Sequence, residues 1–139
     1  MKITWLISFI LAFSVNLIPA LKHPDSNMSF INLLTSGLFI IGMLVFIRKM
    51  SSHNKYLKVY LILGFLSGII VYSIKTFDHI MMNYAALDII TSIQYPLYLV
   101  FTTPLFGINS LLDINYETFS LLTSLVYILA LICTYKRIN

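Results

Sequence analysis

Long apolar runs, each about as long as a helix that crosses a membrane, dominate this sequence. Four of them cover residues 3–20, 29–47, 56–74 and 119–135. A helix rises about 1.5 Å per residue, so about 20 apolar residues cross the hydrocarbon core of a bilayer. Of the 139 residues 59% are hydrophobic and 10% are charged, whereas soluble domains average about 25% charged residues. The pattern predicts an all-α integral membrane protein, in which a four-helix transmembrane bundle forms a single domain over residues 1–139.

Basic and acidic residues lie in different gaps between these runs. Seven of the nine basic residues lie at the start, in the middle and at the end of the chain: Lys2, Arg48, Lys49, Lys55, Lys58, Lys136 and Arg137. The five acids lie in the other gaps: Asp25, Asp78, Asp88, Asp113 and Glu117. Because Lys and Arg are held on the cytoplasmic side of membranes, the segregation predicts that both termini are cytoplasmic. A multi-pass protein of a bacterial inner (plasma) membrane is the expected setting.

The first run raises the question of a signal peptide, because Lys2 precedes it. A cleaved signal peptide requires small residues at positions −3 and −1 relative to the cleavage site. Cleavage after Ala20 would place Ile18 at position −3. The bulk of Ile18 favours an uncleaved first helix.

The ambiguous part of the chain is residues 75–118, because Ile89–Leu112 is long enough to cross. If it crosses, there are five transmembrane helices, with five basic residues inside and four outside. If it does not cross, seven basic residues lie inside and two lie outside. Basic residues determine orientation more strongly than acids do, so four crossings are favoured and five remain the alternative.

Local sequence patterns also favour an amphipathic or re-entrant outer element between helices 3 and 4. Apolar residues recur at helical spacing over Met82–Gln94, which is typical of an interfacial helix. Pro96 and Pro104 interrupt the apolar stretch after Gln94, and interrupted backbone at membrane depth needs protein or water to satisfy it. Four aromatic residues of this element suit a belt at the lipid head groups: Tyr95, Tyr98, Phe101 and Phe106.

A glycine stripe marks the third run, where Gly64 and Gly68 form a G-x-x-x-G motif that lets a neighbouring backbone approach closely. Tyr60 and Tyr72 continue the stripe at i, i+4 spacing, and these four are the predicted helix-packing residues. The stripe packs either against another helix of the same chain or against a second copy.

A polar cluster consists of Lys75, Asp78, His79 and Asp88. If the third helix continues, the first three can meet on one side of it. The cluster is either an ion-paired helix end or a site that handles protons or cations, since His titrates near neutrality. Two candidate ligands are weak evidence for a metal, so no metal, cofactor-binding or catalytic residue is predicted. His23 and Asp25 could add ligands on the same surface.

Few residues inside the predicted spans could carry chemistry. Asn16, Asn32 and Gln94 are polar but uncharged, and we expect them to form interhelical hydrogen bonds. The sequence contains no G-x-S-x-G, H-E-x-x-H or P-loop motif.

We therefore expect a protein that is not an enzyme and has no cofactor, acting as an accessory or interaction protein that binds another membrane component. The alternative is an oligomeric small pore or transporter subunit. The expected partners are the lipid bilayer and another membrane protein or a second copy of the chain, and nucleic acid is not expected.

Overall fold

Four long helices form the body of the molecule. A computed structural model of the chain describes residues 2–25, 27–49, 54–81 and 85–136. The long helices are α1 (Lys2–Lys22), α2 (Phe30–Lys49), α3 (Lys55–Thr76) and α8 (Tyr116–Lys136). They match the four predicted runs, and the largest difference is at α8, which begins at Tyr116 rather than at residue 119. Within the described residues the fold is all-α.

Short helical segments connect α3 to α8. Two of them are α4 (Asp78–Met81) and α5 (Ala85–Thr91). The predicted amphipathic helix thus ends near Thr91, and its first residues, 82–84, lie outside the described residues.

Residues 94–112 then form a helix whose geometry changes three times, here called the broken helix. It consists of α6 (Gln94–Leu97), a π-helix (Tyr98–Thr102), a 3₁₀ helix (Thr103–Ile108) and α7 (Asn109–Leu112).

Helices α3 and α8 pack closely and run antiparallel. A Cβ atom added at Gly64 would lie 2.6 Å from the ring of Tyr127. One added at Gly68 would overlap the carbonyl oxygen of Ser120 and lie 2.8 Å from Cβ of Ser124. The glycines therefore allow a backbone approach that any side chain would prevent, and the groove of α3 is filled by α8 of the same chain.

Aromatic contacts show which helix ends lie together. The Trp5 ring stacks on Phe46 at 5.4 Å and meets Tyr60 edge-on at 5.2 Å. Lys58 Nζ lies 4.5 Å from the centre of the Tyr135 ring. The start of α1, the end of α2, the start of α3 and the end of α8 therefore share one end of the bundle.

We call this the basic end, because it carries Arg48, Lys49, Lys55 and Lys58. We call the opposite end the acidic end, because four acids lie at or next to it: Asp25, Asp78, Asp113 and Glu117.

The broken helix lies across the bundle and contacts all four long helices. Near its start, Tyr98 Oη donates a hydrogen bond to the Ala20 carbonyl at 3.1 Å. Near its end, Asn109 Nδ2 lies 3.4 Å from His23 Nε2. Ala20 lies in the last turn of α1 and His23 directly follows that helix, so both ends of the broken helix lie at the acidic end.

Side chains of the long helices satisfy the interrupted backbone of the broken helix. Ser67 Oγ donates to the Leu97 carbonyl at 3.1 Å. Tyr127 Oη, from the middle of α8, donates to the Phe101 carbonyl at 2.7 Å. These bonds give the Leu97 and Phe101 carbonyls hydrogen-bond partners within the protein, which backbone at membrane depth needs.

A buried polar network fastens the second half of the broken helix to α1 and α2. Asn32 Nδ2 donates to Asn16 Oδ1 at 3.1 Å, so these two residues form the predicted interhelical bond. Ser36 Oγ donates to the Pro104 carbonyl at 2.9 Å. A Cβ atom at Gly107 would overlap the Asn32 carbonyl, so only glycine permits this contact.

The predicted aromatic belt is wrong for three of its four residues. Tyr98, Phe101 and Phe106 are buried in the core, because the broken helix packs among the long helices. Tyr95 alone of the four is largely exposed, at 63%.

By length and composition, five helices among the described residues could cross a membrane. They are Ile3–Lys22, Phe30–Lys49, Lys55–Thr76, Ile89–Leu112 and Tyr116–Tyr135. The all-α class and the apolar helices agree with the prediction of a transmembrane protein. Length alone also admits the alternative of five transmembrane helices.

Candidate functional site

A pocket of about 350 Å³ opens at the acidic end, between α1, the broken helix and α8. We call it the tyrosine pocket, and it is lined by Ala20, Leu21, His23, Gln94, Tyr95, Tyr98, Leu99 and Tyr116. Its wall includes the start of the π-helix, and π-helical turns occur frequently at functional sites.

Gln94 is the unusual residue of this wall. Its side chain is 6% exposed, and Oε1 has no hydrogen-bond partner among the described residues. An unpaired buried polar atom costs about 1–3 kcal/mol. The predicted interhelical hydrogen bond is thus not formed by this oxygen, which remains able to accept one.

Aromatic rings hold the pocket in shape. The Tyr98 ring meets Tyr116 edge-on at 5.5 Å, and its hydroxyl is bound to α1. The His23 ring meets Phe106 edge-on at 5.4 Å. Because these rings bridge α1, the broken helix and α8, the pocket is preformed.

A short turn closes the acidic end beside the pocket. Asn109 Nδ2 donates to the Ile114 carbonyl at 2.8 Å, and Ile114 N donates to Asn109 Oδ1 at 3.2 Å. Asp113 within this turn has a φ of 47°, in the left-handed region that Asp and Asn tolerate better than most residues. The turn places Tyr116 in the pocket wall.

Part of the polar cluster lies beside the tyrosine pocket. Lys75 Nζ and Asp78 Oδ2 form an ion pair at 3.0 Å, with side chains 40% and 17% exposed. Lys75 also interacts electrostatically with Tyr116 and Glu117 at the start of α8. A charged pair thus lies near one wall of the pocket.

His79 and Asp88 are the other two residues of the predicted cluster. His79 lies on α4 with its side chain exposed, and it does not line the tyrosine pocket. The side chain of Asp88 lies outside what the structure describes. In the described part of the chain no three His, Cys, Asp or Glu residues are grouped as metal ligands.

His23 has a different role from the predicted one. Its ring contacts Phe106 and Asn109 and lines the tyrosine pocket. The Asp25 side chain is exposed beyond the end of α1. The site therefore includes His23 without Asp25, beside polar side chains of the broken helix and Tyr116 of α8.

The glycine stripe lies away from this pocket. Gly64 and Gly68 are covered by α8, and Tyr60 lies near the basic end against Trp5. Tyr72 is partly exposed on α3. The stripe fixes how α8 packs on α3, and it thereby helps to position Tyr116 at the start of α8.

Comparison of the chain with family models, curated proteins and solved structures found no match. The side-chain oxygen of Gln94, which lies among tyrosine rings, suits a ligand that donates hydrogen bonds, such as an amine or a hydroxyl. Tyrosine faces also attract a cation through the ring quadrupole.

Proposed function

We propose that the chain is a multi-pass membrane protein with four crossing helices, α1, α2, α3 and α8. The broken helix would be a re-entrant element that enters and leaves on the non-cytoplasmic side. Support comes from its contacts, since both Ala20 and His23 lie at the acidic end. A fifth crossing would carry Asn109 to the basic end, away from His23. With four crossings the basic end and both termini are cytoplasmic.

We further propose that the protein is not an enzyme and that it binds another membrane component in the tyrosine pocket. The observation that carries this proposal is Gln94, whose buried Oε1 lacks a partner in a pocket walled by tyrosines. Leu21 and Tyr95 are exposed at the pocket, so a ligand can enter from the membrane–water boundary. The fitting ligand has an apolar body and a head that donates hydrogen bonds.

An oligomeric pore is less well supported. In that alternative the glycine stripe would be the face between copies of the chain. Gly64 and Gly68 are already occupied by α8, so a second copy would have to displace it. The stripe is better explained as packing within one chain.

Site-specific photocrosslinking in native membranes tests the binding proposal. A photoreactive phenylalanine analogue at Tyr95, beside the tyrosine pocket, is expected to give a discrete adduct. The same analogue at Tyr135, an exposed position at the other end of α8, is the matched control. Gln94→Met keeps the side-chain length but removes the acceptor, and we expect it to reduce the Tyr95 adduct about fivefold or more.

Equal adduct yields at Tyr95 and Tyr135 would contradict the proposal. An adduct at Tyr95 that Gln94→Met leaves unchanged would also contradict the role of the amide. Normal abundance of Gln94→Met in the membrane is the check that the variant folds.

A further inference from the structure

A second pocket of about 410 Å³ lies at the basic end, where α1, α2 and α3 meet. We call it the tryptophan pocket, and it is lined by Trp5, Leu6, Phe46, Asn54, Tyr56, Leu57 and Tyr60. Most of these side chains are apolar, so the pocket suits a hydrocarbon chain.

One hydrogen-bond donor of this pocket is unused. Trp5 Nε1 is buried without a hydrogen-bond partner among the described residues, and Tyr60 lies beside it. Their rings lie 5.2 Å apart, edge to face. An indole N–H can only donate, so an occupant that satisfies Trp5 must bring an acceptor, such as an ester or phosphate oxygen.

Charge at this end of the molecule favours an anionic occupant. Arg48 and Lys49 end α2, and Lys55 and Lys58 lie in the first turn of α3. No acid occurs in the sequence between Asp25 and Asp78. Lys and Arg are attracted to anionic membrane surfaces, so the four cations favour a negative head group over a zwitterionic one.

We infer that the tryptophan pocket is a binding site for an anionic phospholipid of the adjoining leaflet. An acyl chain lies against Phe46 and Leu57, and an ester or phosphate oxygen accepts a hydrogen bond from Trp5 Nε1. The basic residues of α2 and α3 face the head group. This inference is independent of the tyrosine pocket, which lies at the opposite end.

The chain carries its own reporter for a test, because Trp5 is its single tryptophan. The whole protein is reconstituted in phosphatidylcholine vesicles, and Trp5 fluorescence is quenched with brominated lipid. Brominated phosphatidylglycerol is expected to reach half-quenching at a mole fraction about threefold or more below that of brominated phosphatidylcholine. The double variant Lys49→Gln/Lys55→Gln is expected to remove this difference.

Two further variants separate the parts of the inference. Tyr60→Phe keeps the ring beside Trp5 and, because the lipid oxygen binds Trp5 Nε1, should leave the anionic preference intact. Lys22→Gln makes the same charge change at the acidic end and should leave the anionic preference intact.

Equal quenching by both lipids in the unaltered protein would overturn the inference. So would an anionic preference that persists in Lys49→Gln/Lys55→Gln. An unchanged emission maximum in each variant before brominated lipid is added shows that Trp5 keeps its buried setting.

Discussion

At the scale of single residues, Ser36 has the most demanding position. Its hydroxyl donates to the Pro104 carbonyl at 2.9 Å. The same oxygen accepts from Gly107 N and from Asn16 Nδ2, both at 3.0 Å. A serine hydroxyl offers one donor and two acceptor positions, so its full capacity is used to hold the broken helix.

Ser36→Ala is expected to destabilise the fold by about 1–3 kcal/mol, because it leaves the buried Gly107 N–H and the Pro104 carbonyl short of partners. Unfolding with increasing SDS in mixed micelles measures the loss. Ser14→Ala, on an exposed face of α1, removes the same hydroxyl and should change stability by less than about 0.5 kcal/mol. Equal effects of the two variants would contradict this role of Ser36.

Sequence reasoning reached only part of this network. Asn16 and Asn32 stood out because amides are rare in apolar runs and require hydrogen-bond partners there. Ser36 gave no such signal, because serine is common in membrane helices and its partners Pro104 and Gly107 are about 70 residues away. The unpaired Gln94 was unpredictable for the same reason, since pairing depends on the tertiary contacts around it.

At the scale of elements, the long helices were predictable, whereas for the broken helix only its interruption by proline was. Apolar length alone identifies α1, α2, α3 and α8. In residues 94–112, Pro104 signals an interruption, but the π-helical and 3₁₀ geometry depends on partners such as Ser67 and Tyr127. Tyr98, Phe101 and Phe106 were misplaced because an aromatic residue suits both a head-group belt and a packed core.

The packing of α3 on α8 predicts opposite effects of one substitution at two glycines. Gly68→Ala should destabilise the protein by about 1–3 kcal/mol, because its Cβ would overlap the Ser120 carbonyl on the α8 backbone. At Gly37 of α2 nothing lies within 4 Å of an added Cβ, so Gly37→Ala should stabilise by up to about 1 kcal/mol through helix propensity. Thermal unfolding in detergent compares the two variants.

If Gly68→Ala were as stable as Gly37→Ala, the α8 backbone could not be packed in direct contact with Gly68. Appearance of a dimer that Gly68→Ala disrupts would instead support the stripe as a face between two copies. Size-exclusion chromatography of both variants in the same detergent distinguishes these outcomes.

At the scale of the whole molecule, the two ends differ in charge and in the chemistry of their pockets. The basic end has a pocket with an unused donor in Trp5, beside cations. The acidic end has a pocket with an unused acceptor in Gln94. The broken helix is responsible for the second pocket, because it adds walls at one end only. In the proposed four-crossing arrangement, each membrane face would therefore have a pocket of different chemistry.

Single-cysteine labelling tests this arrangement directly. In a Cys133→Ser background, one cysteine is introduced as Asn27→Cys, Ser52→Cys or Asn115→Cys, and intact cells are treated with a membrane-impermeant maleimide. With four crossings, Asn27→Cys and Asn115→Cys should react together, because α1 ends and α8 begins at the acidic end. Ser52→Cys, between α2 and α3, should react only after the membrane is opened. If Asn115→Cys behaved like Ser52→Cys, the broken helix would cross the membrane, and the tyrosine pocket would lose its place on the outer face.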